Sequence, residues 1–284
     1  MTAITDAPAT PFAGMSPLPE ASGKAGFGGA LRSEWTKIRS VRSTVWALAA
    51  LVAVSVGLIS LMLAVRMGDW NQLSAARQHE LAADPMGIYF PFAIGLGQLA
   101  IVVLGVMTVT SEYTTGMIRS TFQSQPRRLT VLTAKVLVFS LVAVVVGQLV
   151  AFGSFFSTQA IVKAHIQMSL SDPGYLRSVV GGGLYLAVIG LFSLAFGAIL
   201  RHTAGAITAV AAIVMVLAGM TELLPSSWGA HVHAWWPSNA GALVYTPKVD
   251  PTALLTPWQG FAVMGGWTAL LLAVAYLLVK RRDA

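Results

Sequence analysis

Long runs of apolar residues, broken by short polar segments, set the layout of this chain. Pro91 to Thr110 is twenty residues without an Asp, Glu, Lys or Arg. Between Lys135 and Lys163 lie 27 uncharged residues, and between His202 and Glu222 a shorter run of 19. Val45 to Val65, the stretch between Arg177 and Arg201, and Trp258 to Val279 complete the set. A helix rises about 1.5 Å per residue, so about 20 apolar residues cross a hydrocarbon core of roughly 30 Å. The pattern predicts an all-α integral membrane fold with six transmembrane helices, at about 45–65, 91–110, 136–161, 179–200, 204–223 and 258–279. The third run is longer than a bilayer needs and must tilt or overhang.

The polar segments differ in kind. Residues 1–26 hold Pro8, Pro11, Pro17 and Pro19 and no periodic apolar face, which predicts a disordered cytosolic tail rather than a signal peptide. In 27–42, Phe27, Leu31, Trp35 and Ile38 recur at helical spacing, with Arg32, Lys37, Arg39 and Arg42 mostly off that line. This predicts an amphipathic helix in the inner membrane interface, with Leu31, Trp35, Ile38 and Arg39 as its interfacial residues, at the start of a transmembrane domain over 27–284. The loop from Pro225 to Pro257 carries Trp228, Trp235 and Trp236. Indoles favour the headgroup level, so one or two short helices dipping into the outer leaflet are expected before the last span.

Composition agrees. Hydrophobic residues make up 56% of the 284 and charged residues 10%, against about 25% charged in soluble domains. The net charge of +7 would suit nucleic acid, but the basic residues flank apolar runs, the membrane pattern. With both termini in the cytosol, thirteen of the 18 Lys and Arg fall inside: Lys24, Arg32, Lys37, Arg39, Arg42, Arg119, Arg127, Arg128, Lys135, Arg201, Lys280, Arg281 and Arg282. Arg66, Arg77, Lys163, Arg177 and Lys248 fall outside. That asymmetry sets the predicted orientation.

Catalytic motifs are missing. The only Gly-Lys, Gly23-Lys24, is followed by Ala25 and has Leu18 where a P-loop needs glycine. "HELAA" at His79 has Ala83 in place of the second zinc ligand, and His231 and His233 have no third ligand nearby in sequence. There is no cysteine. No enzyme activity, cofactor or metal is expected. The span interiors carry no ionisable acid of the kind that proton-coupled transporters use as a relay. Their many glycines predict close helix packing.

"SEYTTGMIRSTFQSQPRR" (111–128) breaks the apolar pattern most sharply. Ser111 suits a helix cap with Glu112 at the first position, and Gly116 permits a change of direction. Met117, Ile118, Thr121 and Phe122 then share one helical face, Gln125-Pro126 stops it, and Arg127 and Arg128 follow.

"EWTKIRSVRSTVWAL", "SEYTTGMIRSTFQSQPRRLTVLTAK", "RHTAGAI" and "PSNAGAL", in this order along six spans, resemble the membrane (permease) subunit of ABC-2 type export transporters, in the actinobacterial branch with a separate ATPase subunit. The resemblance covers about residues 30–284, and the chain departs from that pattern at Thr114, Thr115 and Met117. It implies an ABC-2 exporter-type bundle in a bacterial plasma membrane, in contact with lipid. It further implies a translocation pathway formed as a dimer with a second permease subunit, identical or different, and an ATP-binding cassette subunit held on each. The loop after the second span would then be the coupling element, through Glu112, Gly116, Met117, Ile118, Arg119 and Phe122. An ATP-independent secondary transporter or channel, and a membrane sensor or assembly protein, are the alternative readings.

Overall fold

The computed structural model describes residues 26–87, 89–117 and 128–281. The expected tail, up to residue 25, lies outside the described residues, as do Ile118, Arg119, Phe122 and Arg127 of the expected coupling loop. Among the described residues there is no strand. The order is α1 (Phe27–Ser40), α2 (Arg42–Gly68), α3 (Ala75–Ala83), α4 (Tyr89–Thr114), α5 (Arg128–Val162), α6 (Tyr175–Leu200), α7 (Thr203–Leu223), α8 (Ser226–Trp235), α9 (Pro237–Ala242) and α10 (Pro257–Arg281).

Six of these, α2, α4, α5, α6, α7 and α10, are long and apolar enough to cross a membrane. Each falls on one of the expected spans. Short helices α8 and α9 occupy the tryptophan-bearing loop before the last span. The sequence reading did not anticipate α3, which Ser74 caps by accepting the Arg77 backbone N–H.

α6 is the most buried span and packs between α4 and α5. Glycines make this possible. A Cβ on Gly105 would lie 2.4 Å from the Gly190 carbonyl oxygen, and one on Gly147 would lie 2.4 Å from that of Gly183. Backbones touch at both crossings, as small residues in lipid allow. Around them Phe90, Ile94, Phe155, Leu186, Ile189 and Phe192 are fully buried, and the Tyr185 hydroxyl donates to Gln98 Oε1 across α6 and α4. By contrast α2, α7 and α10 are the least buried spans. They turn Trp46, Leu61, Val65, Val216, Leu270 and Leu277 outward. A surface this apolar over six long helices suits lipid as solvent, and the chain is a multi-pass membrane protein.

Side-chain contacts fix which loops share an end. At one end, the Thr203 hydroxyl donates to Thr110 Oγ1 at 2.9 Å, the Tyr276 hydroxyl to Thr133 Oγ1 at 3.0 Å, and α1 packs on α5. At the other end, Trp70 stacks on His165, and Lys248 donates to the Ala83 carbonyl. There the Arg177 guanidinium reaches the carbonyls of Leu243, Val244, Thr246 and Pro247 at 2.9–3.0 Å. These oxygens follow α9, so one cation satisfies a helix end that has no further turn to bond.

α7 is not uniform. Ala212–Leu217 is a π-helical stretch, and Thr221–Leu223 tightens into a 3-10 turn. Widened turns leave carbonyls without their usual partners. Trp236 Nε1 donates to the Ile213 carbonyl at 2.8 Å, and Asn239 Nδ2 to that of Ala218 at 3.2 Å. α8 and α9 are thereby pinned to the far half of α7.

Candidate functional site

Helix α4 runs past its apolar core into Ser111, Glu112, Tyr113 and Thr114. The expectation that Ser111 caps a new helix beginning at Glu112 is not met. The Ser111 hydroxyl donates back to the Met107 carbonyl at 2.7 Å, as a residue inside a helix does, and Glu112 sits in the last turn. A carboxylate there opposes the helix dipole, so something stronger must hold it.

Two lysines do so. Lys37 of α1 lies 2.7 Å from Glu112 Oε1, and Lys135 of α5 lies 2.9 Å from the same oxygen. Glu34 closes the figure: its Oε1 is 2.7 Å from Lys37 Nζ and its Oε2 is 2.7 Å from Lys135 Nζ. The four groups form a ring of alternating charge with no net charge, joining α1, the end of α4 and the start of α5. The Glu34, Glu112 and Lys135 side chains are only 5–7% exposed, and that of Lys37 28%. Burial works against the Lys37 ammonium, but hydrogen bonds from it to Glu112 and Glu34, with their charges, outweigh that and raise its pKa above the ordinary lysine value.

Such a ring is a fastener more than a source of net stability. Desolvating four charges offsets most of their attraction, yet removing one leaves a buried partner uncompensated, at about 3–5 kcal/mol. Glu112 Oε2 is buried and has no hydrogen-bond partner among the described residues. Beside the ring, Arg201 ends α6 in a left-handed conformation (φ 53°) and lies 4.9 Å over the Tyr113 ring. The turn between α6 and α7 therefore rests on the same last turn of α4.

The ring changes how α1 is read. Ala30 and Glu34 are its buried positions, with Lys37 one turn on. The expected stripe is not the face packed on the bundle: Phe27 and Trp35 are exposed, and Leu31 and Ile38 half-buried. At about 100° per residue the stripe lies beside the packed face, with Arg32, Thr36 and the exposed Arg39 beyond it. The helix has three faces: one on protein, one apolar and outward, one basic.

Gly116 has φ 71°, so the chain turns there through a conformation that suits glycine, as expected of it. Met117 is exposed at the start of the segment that leads to Ile118, Arg119 and Phe122. The sequence reading missed Glu34 and treated Lys37 and Lys135 as ordinary basic flanks. A signal was available: Lys135 stands alone between the apolar runs "LTVLTA" and "VLVFSLV", and a lone charge at such a place needs a counter-ion.

The His231–His233 pair takes no part here. His233 Nδ1 sits at the opposite end, 2.8 Å from Thr221 Oγ1 and 3.1 Å from Asn239 Nδ2. Among the described residues no three His, Asp or Glu gather as a metal site. No protein-family model matches the chain, and no curated protein matches it in sequence.

Proposed function

We propose that this chain is the membrane-spanning permease subunit of an ATP-driven exporter of the ABC-2 type. In this reading it forms the translocation pathway as a dimer, and a separate ATP-binding cassette subunit hydrolyses ATP. The chain lies in a bacterial plasma membrane with both termini in the cytosol, where the Lys and Arg excess would place the ring-bearing end.

The observation that supports this best is the charged ring at the base of the 111–128 loop. A coupling loop must pass a push from a cytosolic motor to the spans without bending. Here Glu112 leads into the loop, and Lys135 stands seven residues after its last residue, Arg128. Both are tied to α1 through Glu34 and Lys37. A push on the loop would move α1, α4 and α5 as one body. The outward stripe of Phe27, Leu31, Trp35 and Ile38 then suits the lipid interface, with Arg32 and Arg39 at the phosphates.

Purification of the tagged chain from its native membrane in mild detergent tests the proposal. An ATP-binding cassette chain is expected at about one copy per permease, with vanadate-sensitive hydrolysis. Phe122→Ala truncates the aromatic on the expected docking face, and loss of about 2 kcal/mol would weaken the complex roughly thirtyfold. Recovery of the wild-type chain with no ATP-hydrolysing partner would remove the exporter reading and favour an ATP-independent role.

A further inference from the structure

At the end opposite the ring, α7, α8, α9 and the loop before α10 line a half-open cavity of about 580 Å³. We propose that this cavity binds an amphipathic cation, an apolar body of drug-like size that carries one positive charge.

Three observations converge on that chemistry. The size lies within the range of small-molecule sites, about 300–1,000 Å³. The surface is mainly apolar, with Leu224, Leu243 and the buried Leu255 among its walls. Its charged members are both acids: Glu222 and Asp250 are exposed at the cavity, and no lysine or arginine is among the described residues lining it. Neither acid has an ion-pair partner among the described residues. The Thr252 hydroxyl and backbone N–H both donate to Asp250 Oδ1, at 2.7 and 2.8 Å, which holds its carboxyl below the ordinary aspartate value and keeps it charged.

The cavity is also built in advance. Thr221 donates to the Ala218 carbonyl at 2.6 Å, and Asn239 Nδ2 donates to Thr221 Oγ1 at 3.1 Å beside His233. These bonds fix α7 against α8 and α9 immediately beyond the π-helical stretch, so little ordering is left for a ligand to drive. A membrane lipid is the poorer occupant. Each of its two acyl chains spans about half of a ~30 Å core, more than this cavity encloses. The inference concerns binding to the chain itself and does not depend on a partner ATPase.

The probe is radiolabelled tetraphenylphosphonium, measured by equilibrium dialysis against the purified full chain in an uncharged detergent. Tetraphenylborate, nearly the same shape with opposite charge, is dialysed in a separate cell, because the two ions pair in water. Saturable phosphonium binding near one per chain is expected, with little binding of the borate. Glu222→Gln and Asp250→Asn, both at exposed positions, should each weaken binding by about fivefold, the scale of one screened contact between unit charges. Ala234→Phe, which fills the cavity and leaves every charge in place, should abolish it. Glu80→Gln, on α3 at the same end and outside the cavity, should leave it unchanged. Binding that does not saturate, that the borate matches, or that falls equally with Glu80→Gln would overturn the proposal. So would binding that survives Ala234→Phe.

Discussion

Replacing Lys135 by methionine keeps the length of the side chain and deletes one of two cations from the ring. Among the described residues, Glu34 Oε2 then has no lysine left, and Glu112 keeps Lys37 alone. The Lys135 side chain is 5% exposed, so water does not replace it, and the cost falls in the range for a broken buried pair, about 3–5 kcal/mol. Much of that should appear as undocking of α1, which Glu34 and Lys37 tie to α4 and α5. Amide hydrogen exchange of the peptide covering 27–40 reads it directly. At about 1.4 kcal/mol per tenfold, protection in α1 should fall by roughly two to three and a half orders of magnitude, up to full loss. The paired change Lys135→Met with Glu112→Gln removes one charge of each sign, and should recover most of the loss. Wild-type protection in Lys135→Met, or a double variant as exposed as the sum of the singles, would refute the argument that the ring fastens α1.

Lys37→Met should cost less, about 1 kcal/mol, because its head is partly wet. Its raised pKa means this contribution is fully present below 10.5, the ordinary lysine value, and is lost as pH rises through the folded value, so α1 protection should fall only in strong alkali. Gly147→Ala puts a Cβ against the Gly183 carbonyl oxygen and should destabilise the purified chain by about 1–3 kcal/mol in thermal unfolding. Gly265→Ala, which meets nothing within 4 Å, should be neutral or stabilising by up to about 1 kcal/mol. For orientation, cysteine at the exposed Gln167 should react with an impermeant reagent outside intact cells, and cysteine at the exposed Thr115 should not. The reverse labelling would place the ring outside the cell.

The six spans were legible because lipid imposes one rule along the whole chain: about 20 apolar residues without charge. Their ends were less so. α5 begins eight residues before the expected 136, at Arg128, since a helix goes on as long as its polar groups find partners, as Lys135 does. The same rule hid the ring. Positive-inside counting treats Lys37 and Lys135 as equivalent flanks, and only the meeting of three helices shows that both face carboxylates. Glu112 was misplaced because Ser111 followed by an acid reads locally as a helix start. The helix was already running, and the lysines that favour its acid come from residues 75 and 23 positions before and after it. The stripe on α1 was read as facing the membrane interface, and its residues are exposed or half-buried, but the face packed on the bundle, with Ala30 and Glu34, carries no apolar period to announce it.

The central claim is that the loop after the second span touches an ATP-hydrolysing partner. A photo-crosslinking amino acid placed at position 122 in living cells tests it at that residue, with no need to know the exported substrate. The account predicts one main adduct, containing this chain and an ATP-binding cassette chain identified by mass spectrometry. The adduct should be absent when the same group stands at position 167. Adducts to lipid alone, or to no ATP-binding chain, would contradict it.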